Sequence, residues 1–322
     1  MVIYIKPIFI GLFKGGKRLA PIIQVEGIQK QFDARPVLHD VSFTVNKGDI
    51  VGLLGPNGSG KTTIIRLLNG VIEATAGKIL VNNWDPHSQG HEIRKISGIL
   101  TDGAGLYHEM SGVDNLRFFG KLYGVNDETR IQQLLEDFQL ADHQQKKVGT
   151  YSTGMKRRLG IIKAILHNPT ILFLDEPTNG LDPEGIQMVL QNIHTLNKQY
   201  GTTIFLCSHI LHQIESVCTQ YLFLDHGTII ESGTKSELET KYIKEISVKI
   251  ETNAVVNELN PLYKVVKQDG SYITFILQTK EQLPRLLEEI LKKQFWIHHV
   301  EIQNRDLESL YFQIRGVKNE DR

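Results

Sequence analysis

The chain has 322 residues and a mass of 36.5 kDa, and 41% of its residues are hydrophobic, which is enough for one medium domain and a smaller one. Its 36 Lys and Arg residues balance 36 Asp and Glu residues, so it lacks the broad positive field of a nucleic-acid-binding protein. No segment reaches the roughly 18 consecutive apolar residues of a membrane-spanning helix, which predicts a soluble protein. The two cysteines are typical of inert apolar positions in a reducing compartment.

Residues 1–21 are predicted to form an N-terminal extension. Its apolar stretch is broken by Lys6 and Pro7 and precedes Lys14, Lys17 and Arg18, whereas a secretory signal places its positive charges first. A membrane-surface anchor is one interpretation of this mixture of basic and apolar residues. We favour the other interpretation, a loosely ordered extension or an over-long gene start ahead of Ile22.

A phosphate-binding motif follows two predicted antiparallel strands, 23–28 and 41–45, and a buried strand, 49–54. It matches G-x-x-x-x-G-K-[ST], in which backbone N–H groups wrap a phosphate, the lysine reaches the outer phosphates and the hydroxyl binds Mg²⁺. A helix is predicted to leave the loop, from Thr62 to Leu68. The candidate nucleotide-binding residues here are Gly55, Pro56, Asn57, Gly58, Ser59, Gly60, Lys61, Thr62 and Thr63.

The pattern turns helical over about residues 104–168. Within it, the segment Tyr151–Met155 precedes a helix whose apolar residues share one face. Ser152 and Gly154 therefore lie at a helix start, with free N–H groups and the positive end of the helix dipole. This pattern predicts an anion site.

A third motif, 171–176, is a run of four apolar residues that ends in Asp175 and Glu176. A buried parallel strand delivers such acidic groups to the carboxyl edge of a sheet, where ligands bind. Asp175 would face a metal ion and Glu176 an attacking water. Together, the three motifs in this order predict ATP hydrolysis.

After a predicted hairpin at 221–230, alternating and helical patterns continue to the end of the chain. They predict a small accessory α+β domain over residues 235–322. It contains no catalytic constellation, and we expect it to stabilise a dimer rather than sense a ligand.

These ordered motifs, over about Ile22 to Gly233, resemble the nucleotide-binding subunit of an ABC transporter. The family's usual signature, Leu-Ser-Gly-Gly-Gln, is replaced here by Tyr151–Met155, which keeps the serine and one glycine. Phe32 lies where the family stacks an aromatic ring on adenine. The segment 179–183, with Asp182, resembles the one that crosses between subunits, and His209 resembles the switch histidine.

The resemblance implies an α/β fold, a P-loop NTPase core of the ABC type with an antiparallel β-subdomain and a helical subdomain over 22–234, plus the small C-terminal domain. It implies ATP and Mg²⁺ as ligands, and a homodimer or pseudo-dimer in which Ser152 and Gly154 of one subunit cap the γ-phosphate held by the other. Lys61 would hold the phosphates, Thr62 and Asp175 the Mg²⁺, Glu176 would orient or deprotonate the water, and His209 would contact the γ-phosphate.

One departure from the family concerns Asp102, which stands where a glutamine normally reaches Mg²⁺ and the attacking water. Aspartate is shorter and charged, so it could ligate Mg²⁺ only if its loop moved closer, which Gly103 and Gly105 would permit. Either Asp102 is a conditional metal contact, or it stays out of the site and only the loop's movement matters.

The leading functional prediction is the ATP-hydrolysing subunit of an exporter, on the cytoplasmic face of the cell membrane, with a separate integral membrane permease as partner. The alternative is a soluble ABC ATPase that acts on ribosomes, chromosomes or cluster assembly. Ribosomal members usually carry two cassettes and chromosomal members long coiled coils, and this sequence has neither. The transported substrate does not touch this subunit, so its sequence does not specify it.

Overall fold

The computed structural model describes residues 21–320 except 34, 102, 280, 304 and 305, and the side chains of 317–320 are not described. Nearly all of the predicted N-terminal extension and Asp102 therefore lie outside the described residues. In chain order, the first elements are β1 (Pro21–Phe32), β2 (Arg35–Asn46), β3 (Ile50–Leu54), α1 (Lys61–Leu68), β4 (Ala76–Val81), α2 (Pro86–Ile96) and β5 (Ser97–Leu100).

The middle of the chain contains the helical segment and two further core strands. Its elements are α3 (Gly112–Leu122), α4 (Glu128–Asp137), α5 (Thr153–Ile165), β6 (Ile171–Asp175), α6 (Pro183–Tyr200) and β7 (Thr203–Ser208). The remaining elements are α7 (Leu211–Ile214), β8 (Gln220–Asp225), β9 (Thr228–Gly233), α8 (Lys235–Tyr242), β10 (Ile246–Thr252), β11 (Lys264–Asp269), β12 (Tyr272–Leu277), α9 (Gln282–Lys292), β13 (Ile297–Ile302) and α10 (Leu307–Glu320).

A six-stranded sheet of order β5-β6-β7-β3-β8-β9 carries the site. Its strands are parallel except for β9, which forms an antiparallel hairpin with β8. The register pairs Leu54 with Ser208 and Asp175 with Cys207, so β3, β7 and β6 end at the same edge. Because parallel strands bring their carboxyl ends together, three segments distant in sequence meet at this edge.

A separate antiparallel sheet of order β2-β1-β4 packs on the core sheet. The alternating burial of β1 and β2 explains their strand form, because one face of each contributes to a shared apolar core and the other meets solvent. The helical segment packs on the six-stranded sheet in a second apolar core, in which Leu159 and Ile162 of α5, and Leu166 directly after it, are fully buried. These three layers confirm the predicted α/β fold class with its antiparallel and helical parts.

The C-terminal residues divide between two cores. A four-stranded antiparallel sheet, β11-β12-β10-β13, shares its own core with α9. In contrast, α8 and α10 contribute apolar side chains to the core of the six-stranded sheet, namely Leu238, Leu307, Leu310, Tyr311 and Ile314. The predicted domain boundary at 234/235 stays a prediction, and the packing favours a smaller accessory unit centred on 246–302.

Within the described part of the chain, no helix combines the length and the apolarity that a membrane crossing requires.

Candidate nucleotide site

The phosphate loop, residues 55–60, joins the fully buried strand β3 to the first residue of α1. Gly60 precedes α1 with φ +110°, a left-handed conformation that strains any residue with a Cβ. In the described part of the chain, no side chain caps the start of this helix. Its first N–H groups therefore remain available for an anion, and the helix dipole favours one there.

Gly55 is required for a different reason, which is close packing. A Cβ at this position would lie 2.1 Å from the carbonyl oxygen of Leu224 in β8. Any side chain would push the loop away from the sheet. The fold thus requires glycine at position 60 for its backbone conformation and at position 55 for close packing.

Lys61 is 6% exposed, and its ammonium group is held over the phosphate loop. Its Nζ donates hydrogen bonds to the carbonyl oxygens of Gly55, at 2.8 Å, and Pro56, at 3.1 Å. The same Nζ lies 3.6 Å from Glu176 Oε1. A buried cation with these partners is positioned at the loop without needing a bound anion.

Thr62 and Asp175 place two oxygen atoms that can ligate a metal ion side by side. The Thr62 hydroxyl donates a hydrogen bond of 2.7 Å to Asp175 Oδ2, and Asp175, the last residue of β6, is 3% exposed. Hydroxyl and carboxylate oxygens are hard ligands of the kind Mg²⁺ takes, usually with one or two carboxylates and substrate phosphates. The donor set therefore fits Mg²⁺.

Glu176 has a backbone conformation that is rare for a residue with a side chain, with φ +51°. Such a conformation costs on the order of 1–3 kcal/mol and persists only where the surroundings impose it. Here the Glu176 N–H donates to the carbonyl oxygen of Cys207. Glu176 Oε2 lies 2.9 Å from His209 Nδ1, so the carboxylate stands between the lysine of the loop and the histidine after β7.

These side chains line one cavity of about 480 Å³. Nine of the predicted site residues line it, and two further lining residues, Val37 and Asn179, were not predicted from the sequence. The predicted residues on the wall are Asn57, Gly58, Gly60, Lys61, Thr62, Thr63, Asp175, Glu176 and His209. Asn179 carried a signal, because it opens the segment 179–183, whereas nothing in the local sequence singles out Val37.

Other predicted site residues lie away from this wall. Gly55, Pro56 and Ser59 belong to the loop but do not line the cavity. Phe32, at the end of β1, is 41% exposed, and Lys30 Nζ lies 4.6 Å from its ring centroid. Its ring is thus accessible to a ligand that extends beyond the cavity.

Ser152, Gly154 and Asp182 also lie outside the cavity wall. Ser152 is exposed and caps α5, because its Oγ accepts a hydrogen bond from Met155 N–H. Asp182 caps α6 in the same way, through Gly185 N–H. A Cβ on Gly154 would lie 3.3 Å from Leu181, so the start of α5 and the segment 179–183 pack against each other.

The flanks of Asp102 are held by α5. Arg157 donates to the carbonyl oxygen of Thr101 at 3.1 Å, and Lys163 donates to that of Ala104. Burial lowers the pKa of Lys163. The helix that begins after Ser152 therefore contacts both described sides of the Asp102 position.

Cys207 lies beneath the site, with its Sγ 3.9 Å from the Lys61 carbonyl oxygen. Burial, with a further contribution from the Asp175 and Glu176 carboxylates, raises the pKa of its thiol well above the ordinary value. The thiol therefore stays neutral and acts as an apolar neighbour of the charged groups.

The geometry defines a P-loop nucleotide site, in which a glycine-rich loop, a helix start, a lysine and paired acids converge at a sheet edge. Comparison with known proteins identifies the family. Residues 38–179 match the family model described as ABC transporter. The chain is 30% identical to the ABC transporter ATP-binding protein YhcH of Bacillus subtilis (strain 168), over 93% of this chain and 98% of the relative.

The chain is also 33% identical to the bacitracin transport ATP-binding protein BcrA of Bacillus licheniformis, over 91% of this chain and 86% of the relative. Among solved structures, an ATP-binding subunit of an ABC transporter superposes with a TM-score of 0.63 at 29% identity, covering 69% of this chain and 93% of that one. The dimeric ATP-binding cassette MJ0796, bound to ADP and Pi, shares the fold with a TM-score of 0.61 at 20% identity, covering 66% and 98%.

The chain belongs to the ATP-binding proteins of ABC transporters. It binds and hydrolyses ATP as the subunit that energises transport, and the non-transport alternative is not favoured. Members of this family pair with membrane permease components.

Proposed function

We propose that the cavity binds ATP with Mg²⁺ and that Glu176 is the general base of its hydrolysis. The observation that carries this proposal is the convergence of Lys61, Asp175, Glu176 and His209 on one cavity wall. Thr62 and Asp175 would hold the metal ion, which when bound neutralises charge on the phosphates. Lys61 and the N–H groups at the start of α1 hold the β- and γ-phosphates.

In the reaction, a water oxygen forms a bond to the γ-phosphorus as the bond to the β–γ bridging oxygen breaks. Glu176 accepts the proton of the water, and the leaving electron pair stays on ADP. His209, at 2.9 Å from Glu176 Oε2, orients that carboxylate and would contact the γ-phosphate of bound ATP. Lys61 lies between the loop carbonyl oxygens and Glu176. It therefore keeps the Glu176 carboxylate, which accepts the proton, close to the loop where the γ-phosphate and the attacking water would lie.

The complete site is proposed to form between two subunits. Ser152, Gly154 and Asp182 carry features that suit nucleotide binding, yet they lie outside the cavity wall of their own chain. The exposed start of α5 offers N–H groups and a dipole to an anion from outside. A second ATP-binding subunit that presents its phosphate loop to this helix start would satisfy both surfaces.

We propose that the transport this chain energises is export, through a separate integral membrane subunit, and that this chain is bound peripherally at the cytoplasmic face of the membrane. The support comes from proteins similar to this chain, which include bacitracin transport, linearmycin resistance and daunorubicin resistance ATP-binding proteins. The closure and reopening of the dimer would move the membrane subunit.

The composite site is tested by measuring the mass of the Glu176→Gln variant by light scattering, with and without Mg-ATP. We expect the 36.5 kDa chain to double its mass with Mg-ATP, because bound ATP that is not hydrolysed keeps the dimer closed. The control, Lys61→Ala/Glu176→Gln, should stay monomeric. A monomer of Glu176→Gln at saturating ATP would refute the composite site.

The membrane partner is tested by purifying the wild-type chain from native membranes. Its recovery without an integral membrane protein would refute the proposed partner.

Asp102 is proposed as a conditional Mg²⁺ contact that forms when the dimer closes. The contacts of α5 with Thr101 and Ala104 support this proposal, because they couple α5, the helix that begins after Ser152, to the Asp102 loop. ATPase rate against free Mg²⁺, measured with the membrane partner, should show a lower turnover and a higher Mg²⁺ requirement for Asp102→Ala. Superimposable curves would leave the loop as a mechanical link only.

A further inference from the structure

The C-terminal helix α10 docks on the end of β8 through two matched pairs of side chains. Tyr311 and Arg315 are one helical turn apart, and Phe223 and Asp225 are alternate residues on one face of β8. The rings of Tyr311 and Phe223 stack with centroids 5.9 Å apart, and Arg315 Nε lies 3.3 Å from Asp225 Oδ2. One helical turn of α10 therefore matches two residues of β8. As a result, the two elements make an apolar contact, Tyr311 with Phe223, and next to it an ion pair, Arg315 with Asp225.

Asp225 depends on Arg315 for its charge balance. Asp225 is 7% exposed. Among the described residues, the other ion-pair partner of its carboxylate is His226, at 3.9 Å, and that ring is largely exposed. The Asp225 carboxylate is buried, whereas Arg315 is partly exposed, and removing the cation that faces a buried carboxylate leaves its charge poorly compensated, which is costly. Loss of Arg315 would therefore drive Asp225 toward water and disturb the residues around it.

Those residues lie against the phosphate loop. Leu224, which points to the other face of β8, has its carbonyl oxygen 2.1 Å from the position that a Cβ of Gly55 would occupy. In the β8–β9 turn, Gly227 N–H donates to the carbonyl oxygen of Ser59 at 3.1 Å. The Gly227 carbonyl oxygen accepts from His39 N–H, two residues after the cavity-lining Val37. The segment 224–227 thus lies between α10 and the phosphate loop.

The start of α10 is fixed independently. Leu307 N–H donates to Glu215 Oε2 at 3.2 Å, and Lys235 of α8 pairs with the same carboxylate. Glu215 follows directly after α7, six residues beyond His209. With its first turn anchored in this way, α10 holds Arg315 in a defined place over Asp225.

We propose that Arg315 is a positioning residue for ATP binding, which acts through Asp225 to hold the β8–β9 turn against the phosphate loop. The proposal rests on the ATP site proposed above. It makes the C-terminal helix a determinant of nucleotide affinity, in addition to its packing role. Because the loop N–H groups contact the phosphates both before and during reaction, the effect is on KM, with kcat little changed.

The test compares KM and kcat for ATP in the full-length chain and its variants, well below their melting temperatures. Arg315→Gln and Asp225→Asn should each raise KM about threefold to tenfold, which lies within the range for coupling through a contact network. The double variant should be no worse than the worse single variant, because the two residues act as a unit. Arg315→Lys, which keeps the charge, should recover most of the loss.

A matched control is Arg117→Gln, which breaks another arginine–carboxylate pair, with Glu128 at 2.8 Å, away from the cavity. It should leave KM unchanged. Hydrogen exchange at residues 58–61 should quicken in Arg315→Gln and not in Arg117→Gln. A lower melting temperature for Arg315→Gln with wild-type KM and wild-type exchange would overturn the proposal and leave α10 as a packing element.

A dissociation constant for a fluorescent ATP analogue separates this proposal from the one it rests on. A wild-type chain that does not bind the analogue overturns both. A wild-type chain that binds it and an Arg315→Gln variant that binds equally well overturn only the role of Arg315.

Discussion

Glu176→Gln isolates the proposed chemical step from nucleotide binding. Glutamine has nearly the same shape as glutamate, so it can occupy the same strained backbone position at φ +51°. Lys61 keeps its hydrogen bonds to the Gly55 and Pro56 carbonyl oxygens, and the Thr62–Asp175 pair is untouched. The substitution removes the negative charge that faces Lys61 Nζ at 3.6 Å and His209 Nδ1 at 2.9 Å.

The expected loss can be estimated from the role assigned to the carboxylate. A positioned general base contributes about a hundredfold to ten-thousandfold in rate. This range corresponds to roughly 2.7–5.4 kcal/mol of transition-state stabilisation, at about 1.36 kcal/mol for each factor of ten. ATP affinity should stay within about threefold of wild type, because Lys61 remains in place, and any change should be toward tighter binding, since the neutral amide no longer repels the phosphates.

The assay is steady-state phosphate release at saturating Mg-ATP, with ATP affinity measured in parallel by equilibrium binding. Glu288→Gln is a suitable control, because that glutamate is an exposed member of an ion pair on α9 and does not line the cavity. We expect the control to hydrolyse ATP like wild type. Wild-type turnover in Glu176→Gln would refute the base assignment, and a joint loss of binding and turnover would show that the carboxylate supports the ground state.

Phe32→Ala should weaken ATP binding about tenfold, since base stacking contributes roughly 1–3 kcal/mol, while Phe32→Tyr is nearly silent; equal affinities with a lower melting temperature for alanine would instead mean that the 41%-exposed ring only packs. Gly55→Ala should lower both ATP affinity and melting temperature, because its Cβ would meet Leu224 O at 2.1 Å; an unchanged affinity would contradict the steric argument. Leu310→Ala, in the fully buried face of α10, should cost about 2–5 kcal/mol in urea unfolding, and a cost below 1 kcal/mol would argue against the docking of α10. The Cys207 thiol, whose pKa is raised by burial, should resist labelling at pH 8, and rapid labelling of the native chain would contradict its burial. Its contribution to the free energy of unfolding is complete below its unfolded pKa of about 9 and should fall as the pH rises above that value.

Local sequence was sufficient for the parts of the protein whose structure depends on near neighbours. The phosphate loop, the buried strand before it and the acidic strand end at Asp175 were predicted because glycine, lysine and apolar runs have short-range consequences. Family resemblance then extended these motifs to the ABC fold, and the comparisons confirm it. The strand β11 was missed, since its exposed residues lack the alternation that marks a half-buried strand.

Tertiary structure decided everything that depends on which strand ends lie side by side. Val37 lines the cavity only because β2 packs over the core sheet, and Asn179 only because β6 lies next to β7. The positive φ of Glu176 and its approach to His209 likewise arise from contacts between segments 33 residues apart. The sequence predicts helical patterns in the C-terminal part of the chain, but it does not predict that α10 docks on Phe223 and Asp225, because an apolar helix face specifies that it is buried and not which surface buries it.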